Sequence, residues 1–280
     1  MRRIAEGRAS AVLAAALMAL ALVGCDDEPT VAPDLTPPAA PQALSSVTGD
    51  GRVTLNWVRN TELDFLTYNV WRGPAYDGPF EKLGSTATTT YVDETAENGV
   101  TYFFAVSAVD RSGNESALSV ESVFDTPRPE GFDLNLVNAR AYPDGPSGFD
   151  FSAAVVRTAI NPATDIYYTA VPGGLRFLAA GDPETFMQDA GYHELDRLDW
   201  APDENEGWSP AYEVEAVLGH CYYVWMRDEN RYAKVRVTAL EEGFTTLDWA
   251  YQPVPGNPEL TPGILTGERY HVAGVAVARP

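Results

Sequence analysis

Apolar and polar residues alternate along three short segments of the chain, and this alternation constrains the fold more than any other feature. The segments are residues 53–58, 66–70 and 102–108. A period of two is typical of a half-buried β-strand, whose successive side chains point to opposite faces. Turn-forming sequences separate the segments, at residues 49–51, 73–74, 77–79, 98–99 and 112–114. Short strands at this spacing predict an all-β sandwich with Greek-key connections.

The same segments carry specific residue combinations. These are Leu55-Asn56-Trp57, Tyr68-Asn69-Val70-Trp71-Arg72, Tyr91-Val92-Asp93, Tyr102-Phe103-Phe104-Ala105-Val106 and the run from Ala108 to Ser116. Together they resemble a bacterial fibronectin type III domain over residues 38–127. The resemblance implies that Trp57 packs between two sheets and that Tyr102 forms the tyrosine corner. It also implies a spacer or interaction module, and the chain has no Arg-Gly-Asp sequence in the corresponding loop.

A second β domain is predicted over residues 132–280. Its clearest region is a meander of three alternating segments, at residues 221–226, 233–238 and 247–251. Further strands are predicted at residues 149–152, 166–170, 175–179 and 213–218, with a short helix at 183–190. The predicted fold class is therefore all-β, a fibronectin type III (Ig-like) sandwich followed by a second, mostly antiparallel β domain. The pattern leaves open whether residues 253–280 form an edge strand or a loose extension.

The turns of the meander predict how its strands pair. Asp228-Glu229-Asn230 and Glu241-Glu242-Gly243 fit three-residue hairpin loops with Asn230 and Gly243 in the left-handed conformation. The predicted pairs are Trp225–Ala233, Tyr223–Val235 and Cys221–Val237 in the first hairpin, and Val235–Trp249, Val237–Leu247 and Arg236–Asp248 in the second.

This register leaves one face of the meander available to a ligand. The candidate ligand face consists of Tyr222, Val224, Met226, Tyr232, Lys234 and Arg236. Aromatic rings beside two cations favour an acidic or planar ligand. A second candidate group, near an acidic loop, would stack on sugar rings and consists of Trp200, Trp208 and Tyr212. The alternative for both groups is packing against a second sheet or a covering loop.

The first 25 residues predict export and lipid anchoring. Three arginines precede an uncharged apolar run over residues 11–24, which is too short to span a bilayer. The run ends in Leu22-Val23-Gly24-Cys25, which resembles a bacterial lipobox. The resemblance implies a signal peptide over residues 1–24, a diacylglycerol on the Cys25 sulfur and acylation of the new N-terminus by a fatty acid such as palmitate. Two or three such chains would anchor the protein in a membrane. Residues 25–37 are rich in proline and predict an extended tether.

The net charge and the number of cysteines limit which ligands and which disulfide bonds are expected. The net charge of −21 disfavours nucleic acid and anionic lipid as ligands, because both would be repelled. The predicted location is the bacterial cell envelope, with the outer membrane favoured over the inner one, although an aspartate such as Asp26 retains some enterobacterial lipoproteins at the inner membrane. With Cys25 lipidated, Cys221 has no partner for an intramolecular disulfide, and we predict that it is buried and inert.

The sequence contains no recognised catalytic or metal-binding motif. None of the three histidines has zinc-ligand spacing, and His220 and Cys221 are strand neighbours that point to opposite faces. Residues 192–194 (Tyr-His-Glu) are the best isolated acid–base cluster, and residues 203–207 lack the pattern of a calcium loop. Three aspartates of the first domain are expected to cap turns, namely Asp64, Asp93 and Asp110. No catalytic residue, metal or cofactor is therefore predicted.

Three hypotheses follow. The leading one is a membrane-anchored envelope lipoprotein that acts as a non-enzymatic binding or structural module, with an envelope protein or a glycan as partner. The alternative is an accessory protein of carbohydrate-active or other hydrolytic secreted enzymes. A third is a haem or metal carrier, because residues 223–237 resemble the terminal strands of haem-carrier lipoproteins, although no haem ligand carries across.

Overall fold

The computed structural model describes residues 32–119, 123–203 and 205–260, together with the backbone of residues 271–272 and 275–276. The predicted signal peptide and Cys25 lie outside these residues. Residues 32–41 precede the first strand and have no regular secondary structure. The described residues from 36 onward belong to one compact unit. Within the described ranges, no helix is long and apolar enough to cross a membrane.

Seven strands build the first sandwich. They are β1 (Gln42–Gly49), β2 (Arg52–Val58), β3 (Phe65–Gly73), β4 (Glu81–Thr86), β5 (Thr90–Asp93), β6 (Tyr102–Asp110) and β7 (Val123–Asp125). They form two antiparallel sheets with the orders β1-β2-β5 and β4-β3-β6-β7. Apolar side chains from both sheets meet in one core, since alternate residues of each strand face inward. The predicted fibronectin type III sandwich is confirmed.

Two aromatic residues hold the positions that the resemblance implies. Trp57 is buried, and its ring meets the Tyr68 ring edge-on with centroids 5.2 Å apart. The backbone N–H of Glu97 donates a hydrogen bond of 3.2 Å to the Tyr102 hydroxyl oxygen. This bond ties the strand to the loop before it, as a tyrosine corner does. Both predictions are confirmed.

Ten strands build the second sandwich. They are β8 (Glu130–Val137), β9 (Gly148–Asp150), β10 (Val155–Arg157), β11 (Ile166–Ala170), β12 (Arg176–Ala180), β13 (Thr185–Tyr192), β14 (Glu213–Glu215), β15 (His220–Met226), β16 (Arg231–Leu240) and β17 (Phe244–Gln252). A 3-10 turn at Leu195–Arg197 lies between β13 and β14. Two short strands, β18 (His271–Val272) and β19 (Val275–Ala276), pair with each other.

These ten strands form two five-stranded antiparallel sheets with the orders β10-β9-β11-β12-β14 and β13-β15-β16-β17-β8. Their inner faces share a large apolar core, to which both sheets contribute aromatic residues. Phe149 and Phe151 from the first sheet contact Trp249 from the second, with ring centroids 4.9 and 5.9 Å apart. The second, mostly antiparallel β domain is therefore confirmed, and it is a sandwich.

The strand predictions for this domain hold, but the helix prediction is wrong. The strand at 166–170 has the predicted bounds, and those near 149–152, 175–179 and 213–218 are shorter or shifted. Residues 185–192 form β13, an edge strand paired with β15, instead of the predicted helix. Thr185 and Met187 are buried while Phe186 and Gln188 are half-buried, which is the alternation of a strand.

The first meander hairpin is shifted by one residue from the predicted register. Met226 pairs with Arg231 and Trp225 with Tyr232, because the turn contains four residues rather than three. Asn230 does adopt a left-handed φ of 51°. The second hairpin has the predicted register over residues 235–237, with Val235 opposite Trp249. Its turn differs, since Gly243 does not take a positive φ and a bulge follows Val237.

Candidate functional site

The register shift divides the predicted ligand face between two sides of the sheet. Tyr222, Val224 and Met226 lie in the core between the sheets, and all three are at most 2 % exposed. A one-residue slip moves every side chain of a strand to the opposite face. The prediction that these three residues join Lys234 and Arg236 on one open surface is therefore wrong.

Tyr232, Lys234 and Arg236 do lie on the outer face of the sheet, but residues 193–201, here called the covering segment, pack over part of it. The Lys234 side-chain amino group donates a hydrogen bond of 3.1 Å to the Leu198 carbonyl, and Arg236 forms an ion pair with Glu194. Burial, with Arg128 nearby, lowers the pKa of Lys234 to about 6. The Lys234 amino group is therefore buried and largely neutral at pH 7, so it does not offer a ligand a surface cation.

The covering segment also accounts for the free cysteine. Cys221 is buried and its thiol donates a hydrogen bond of 3.1 Å to the His193 carbonyl. Burial raises the pKa of this thiol to about 11, which leaves it protonated and unreactive at neutral pH. The prediction of a buried cysteine is confirmed.

Beyond the covering segment, five aromatic side chains form a continuous patch at one end of the outer face. This aromatic cluster consists of Phe186, Trp208, Tyr212, Trp225 and Tyr232. Phe186, Trp225 and Tyr232 are direct cross-strand neighbours on β13, β15 and β16. Trp208 contacts Trp225 with ring centroids 5.5 Å apart, and Tyr212 contacts Phe186 at 6.1 Å. Tyr212 is 47 % exposed, so the cluster is open to solvent on that side.

Polar groups accompany the aromatic cluster. The Arg227 guanidinium carbon lies 6.0 Å from the ring centroids of both Phe186 and Trp225, within range of a cation–π interaction. The indole nitrogen of Trp225 and the side-chain oxygen of Gln188 are buried, and neither has a hydrogen-bond partner among the described residues. Gly207 has a φ of 73°, and a Cβ there would lie 2.7 Å from the Gln188 amide nitrogen.

The structure brings together only part of the predicted sugar-stacking group. Trp208 and Tyr212 belong to the aromatic cluster, whereas Trp200 forms an isolated β-bridge with Glu259 in another region. Sequence reasoning missed Phe186, which it placed on a helix, and Trp225, which it left out of the candidate ligand face. The alternation of Phe186 and Gln188 with buried Thr185 and Met187 is the signal that could have identified the strand.

The second sandwich also contains an acidic cavity of about 320 Å³, which no residue of the aromatic cluster lines. Six carboxyl groups line it, those of Asp150, Asp165, Asp182, Glu184, Asp228 and Glu229. Burial raises the pKa of Asp165 to about 7, and the neighbouring charges of Asp150 and Glu229 act in the same direction. Burial acts on Asp150 as well, but hydrogen bonds from Ala153, Ser152 and Arg157 outweigh it and lower its pKa. The cavity therefore contains one carboxyl group that takes up a proton near neutral pH.

The remaining predicted acid–base residues do not form a common site. Glu194 is engaged by Arg236, and Tyr192 packs instead on His220, with ring centroids 4.2 Å apart. His220 Nδ1 lies 2.9 Å from the Asp189 carboxylate. In the first sandwich, Asp93 accepts a hydrogen bond from the Thr95 N–H, and Asp110 accepts bonds from the N–H groups of Ser112 and Asn114. These two aspartates cap turns as predicted.

Comparison with known proteins relates the chain to parts of large glycoside hydrolases. No family model matches it. It is 33 % identical over 157 residues to an amylopullulanase of Thermoanaerobacterium saccharolyticum, which covers 55 % of this chain and 11 % of the relative. It is 39 % identical over 105 residues to an amylopullulanase of Thermoanaerobacterium thermosulfurigenes, and that match covers 37 % of this chain and 6 % of the relative. Exoglucanase B of Cellulomonas fimi is 33 % identical over 95 residues, and that match covers 33 % of this chain and 8 % of the relative.

The chain thus spans about a tenth or less of the length of these curated relatives. Among solved structures, an Fn3-like protein from Clostridium thermocellum is similar, with 26 % identity and a TM-score of 0.29. That match covers 34 % of this chain and all of the other.

Proposed function

We propose that this chain is a non-catalytic accessory module that binds glycans and works beside carbohydrate-active enzymes at the bacterial cell envelope. The observation that carries the proposal is the aromatic cluster on the outer face of the second sandwich. In this proposal the second sandwich holds the glycan, the fibronectin type III sandwich acts as a spacer, and Cys25 carries the lipid anchor.

The chemistry of the aromatic cluster suits a sugar ring. Binding sites for small ligands combine apolar and aromatic walls with a few polar groups that fix orientation. Here Tyr212 and Trp208 supply partly exposed rings, and Arg227 supplies a charged donor beside them. A neutral glycan also avoids the repulsion that a net charge of −21 imposes on anionic ligands. The similarity to parts of amylopullulanases and an exoglucanase supports the same ligand class.

Direct titration tests this proposal. The full chain is titrated with pullulan and with β-1,4-linked gluco-oligosaccharides, and binding is followed by tryptophan fluorescence, because Trp208 and Trp225 belong to the cluster. We expect saturable quenching or enhancement with one of the two glucan types. Tyr212→Ala should weaken binding about tenfold or more, since truncating an aromatic anchor at an interface typically costs over 1–2 kcal/mol.

Tyr142→Ala is the matched control, because Tyr142 is an exposed tyrosine of the same sandwich and lies outside the aromatic cluster. It should bind as the wild type does. Equal affinity of Tyr212→Ala and wild type would contradict the assigned site. Absence of binding to every glucan would contradict the ligand class and favour a protein partner in the envelope.

A further inference from the structure

A buried polar cluster joins the two sandwiches. The connecting residues 126–129, here called the linker, lead from β7 directly into β8. Thr48 in β1 donates a hydrogen bond of 2.7 Å to the Asp125 carboxylate, and Thr126 donates one of 3.1 Å to the Glu259 carboxylate. Asp125, Arg128 and Glu259 are each at most 3 % exposed. Charged groups from both sandwiches are therefore removed from water at their junction.

The hydrogen bonding of this junction is incomplete. We define the seam cluster as Asp125, Arg128, Asn257 and Glu259. Five of its side-chain atoms are buried and have no hydrogen-bond partner within the described ranges: Asp125 Oδ2, Arg128 Nε and Nη1, Asn257 Nδ2 and Glu259 Oε1. Buried polar groups without partners are costly, and such a cluster is more easily disrupted than an apolar interface.

The charges of the seam cluster are also unequal, since two carboxyl groups share one guanidinium. Full ionisation would leave a net negative charge on side chains that are almost completely buried, which is strongly unfavourable. Burial raises the pKa of Asp125 to about 6 and that of Glu259 to about 8, and the Asp125 charge acts on Glu259 in the same direction. The Arg128 charge and nearby hydrogen-bonding groups, among them Thr48 and Thr126, offset these shifts only in part. At neutral pH the cluster therefore retains one proton, held on the Glu259 carboxyl.

We propose that the seam cluster is a pH-dependent latch, which fixes the two sandwiches together while it carries a proton and loosens when that proton is lost. The charged groups that face it or its arginine are Asp125 from β7, Arg128 from the linker, Glu130 from β8, Lys234 from β16 and Glu259 from the segment after β17. Lys234 in turn faces Asp196 and Asp199 of the covering segment. The latch is independent of the proposed glycan site.

Proton linkage gives the size of the effect. When the sandwiches separate, Glu259 becomes hydrated and its carboxyl recovers an ordinary acidity, so separation releases the proton. The docking equilibrium then weakens by about tenfold per pH unit until the docked carboxyl itself ionises. Between pH 6.5 and pH 9, the opening constant of the seam should rise about thirtyfold. Lys234 is largely neutral over this interval and contributes little to the change.

Hydrogen exchange of the full chain measures this opening. The Gly99 N–H donates a hydrogen bond of 2.8 Å to the Pro127 carbonyl oxygen of the linker, and the Arg128 N–H donates one of 3.4 Å to the Gly49 carbonyl oxygen. Protection of these amides is measured at pH 6.5 and pH 9 and divided by the intrinsic exchange rate at each pH. We expect the seam amides to lose about thirtyfold in protection, while amides of β3 in the first sandwich keep theirs.

Two substitutions test the mechanism. Glu259→Gln keeps the shape but cannot ionise, so the seam protection should no longer depend on pH. Asp165→Asn is the matched control, because it removes another buried carboxyl whose pKa is raised but which lies outside the seam. Its overall stability changes, but the ratio of its seam protection at the two pH values should equal that of the wild type. If Glu259→Gln does not fold, Asp125→Asn replaces it. Without the Asp125 charge, Arg128 favours ionised Glu259, so the pH effect should shrink.

Several results would overturn the latch. One is equal protection of the seam amides at both pH values in the wild type. Another is a thirtyfold loss of protection that persists in Glu259→Gln. A third is a loss of protection that is present in the wild type but absent in Asp165→Asn. A parallel loss of protection in β3 would also overturn it, since this would indicate general unfolding instead of separation of the sandwiches.

Discussion

Lys234→Met should stabilise the protein at neutral pH, although it removes an ionisable side chain and a hydrogen bond. Lys234 lies on β16, is 1 % exposed, and is one of two lysines in the chain. Burial lowers its pKa from the ordinary 10.5 to about 6, so the folded protein holds it neutral at pH 7. The unfolded chain keeps it charged, and folding must therefore release a proton.

The magnitude follows from this pKa difference. Releasing the proton at pH 7 costs about 5 kcal/mol, at 1.36 kcal/mol for each unit below the unfolded value. Methionine avoids this cost but leaves the Leu198 carbonyl without the Lys234 donor, which costs about 1–3 kcal/mol. The expected net gain is about 2–4 kcal/mol at pH 7.

The pH dependence is the more specific part of the prediction. A lysine whose pKa is lowered by folding makes the wild type more stable as pH rises from 6 toward 10.5, because the unfolded state binds more protons in this interval. The advantage of Lys234→Met should therefore shrink by about 1.4 kcal/mol per pH unit and vanish near pH 9. Above that pH the variant should be slightly less stable than wild type.

Urea denaturation at pH 6.5, 8 and 9.5 measures this difference directly. Lys82→Met is the control, since Lys82 lies exposed on β4 and its removal should change stability little and equally at each pH. If the stability difference between Lys234→Met and wild type were the same at all three pH values, the argument from burial of a neutral lysine would be refuted.

Three further predictions concern other parts of the chain. Trp57→Ala should cost about 3–5 kcal/mol in chemical denaturation, because it empties the core of the first sandwich, and a loss near zero would contradict that role. Asp165→Asn should be up to about 4 kcal/mol more stable than the wild type at pH 8 and little different at pH 4. The reason is that a carboxyl whose pKa is raised by folding lowers the stability of the folded wild type as pH rises toward 7, and chemical denaturation at both pH values checks this. Cys25→Ser should move the protein from membrane to soluble fractions of fractionated cells, and persistent membrane association would argue against lipidation.

The first sandwich was predictable because its strands are apolar on one face only. Val53, Leu55 and Trp57 are buried while Thr54 and Asn56 between them are half-buried, so the alternation specifies both the strand and its orientation. The second meander hairpin was predictable for a similar reason, since Arg236 and Asp248 pair on one face while Val235, Val237 and Trp249 lie on the other, in the core.

The first meander hairpin could not be assigned in the same way. Residues 221–226 are apolar on both faces, because one face enters the core and the other is partly covered by the covering segment and Trp208. With no polar face, a turn of three residues and a turn of four residues fit the pattern equally well. The difference of one residue decides whether Tyr222 lies in the core or at the surface.

The helix prediction over residues 183–190 failed for a different reason. Glutamate, methionine, glutamine and alanine favour a helix locally, and Pro183 is well placed to begin one. Pairing with β15 overrides this preference, because the strand buries Thr185 and Met187 against the core and brings Phe186 beside Trp225. Strand propensity depends on such neighbours, so a single sequence carries little of it.

The seam cluster illustrates a limit of another kind. The hydrogen bond that Thr126 donates to Glu259 of this cluster joins residues 133 positions apart, and neither residue lies in a local sequence that indicates the contact. Glu259 follows asparagine and proline in a region without strand periodicity, where an acidic residue is normally solvated. It becomes a titrating group only because the segment after β17 folds back and the Gln252 amide donates a hydrogen bond of 2.9 Å to its carbonyl. Long-range packing therefore creates the chemistry of this group, and local pattern cannot reveal it.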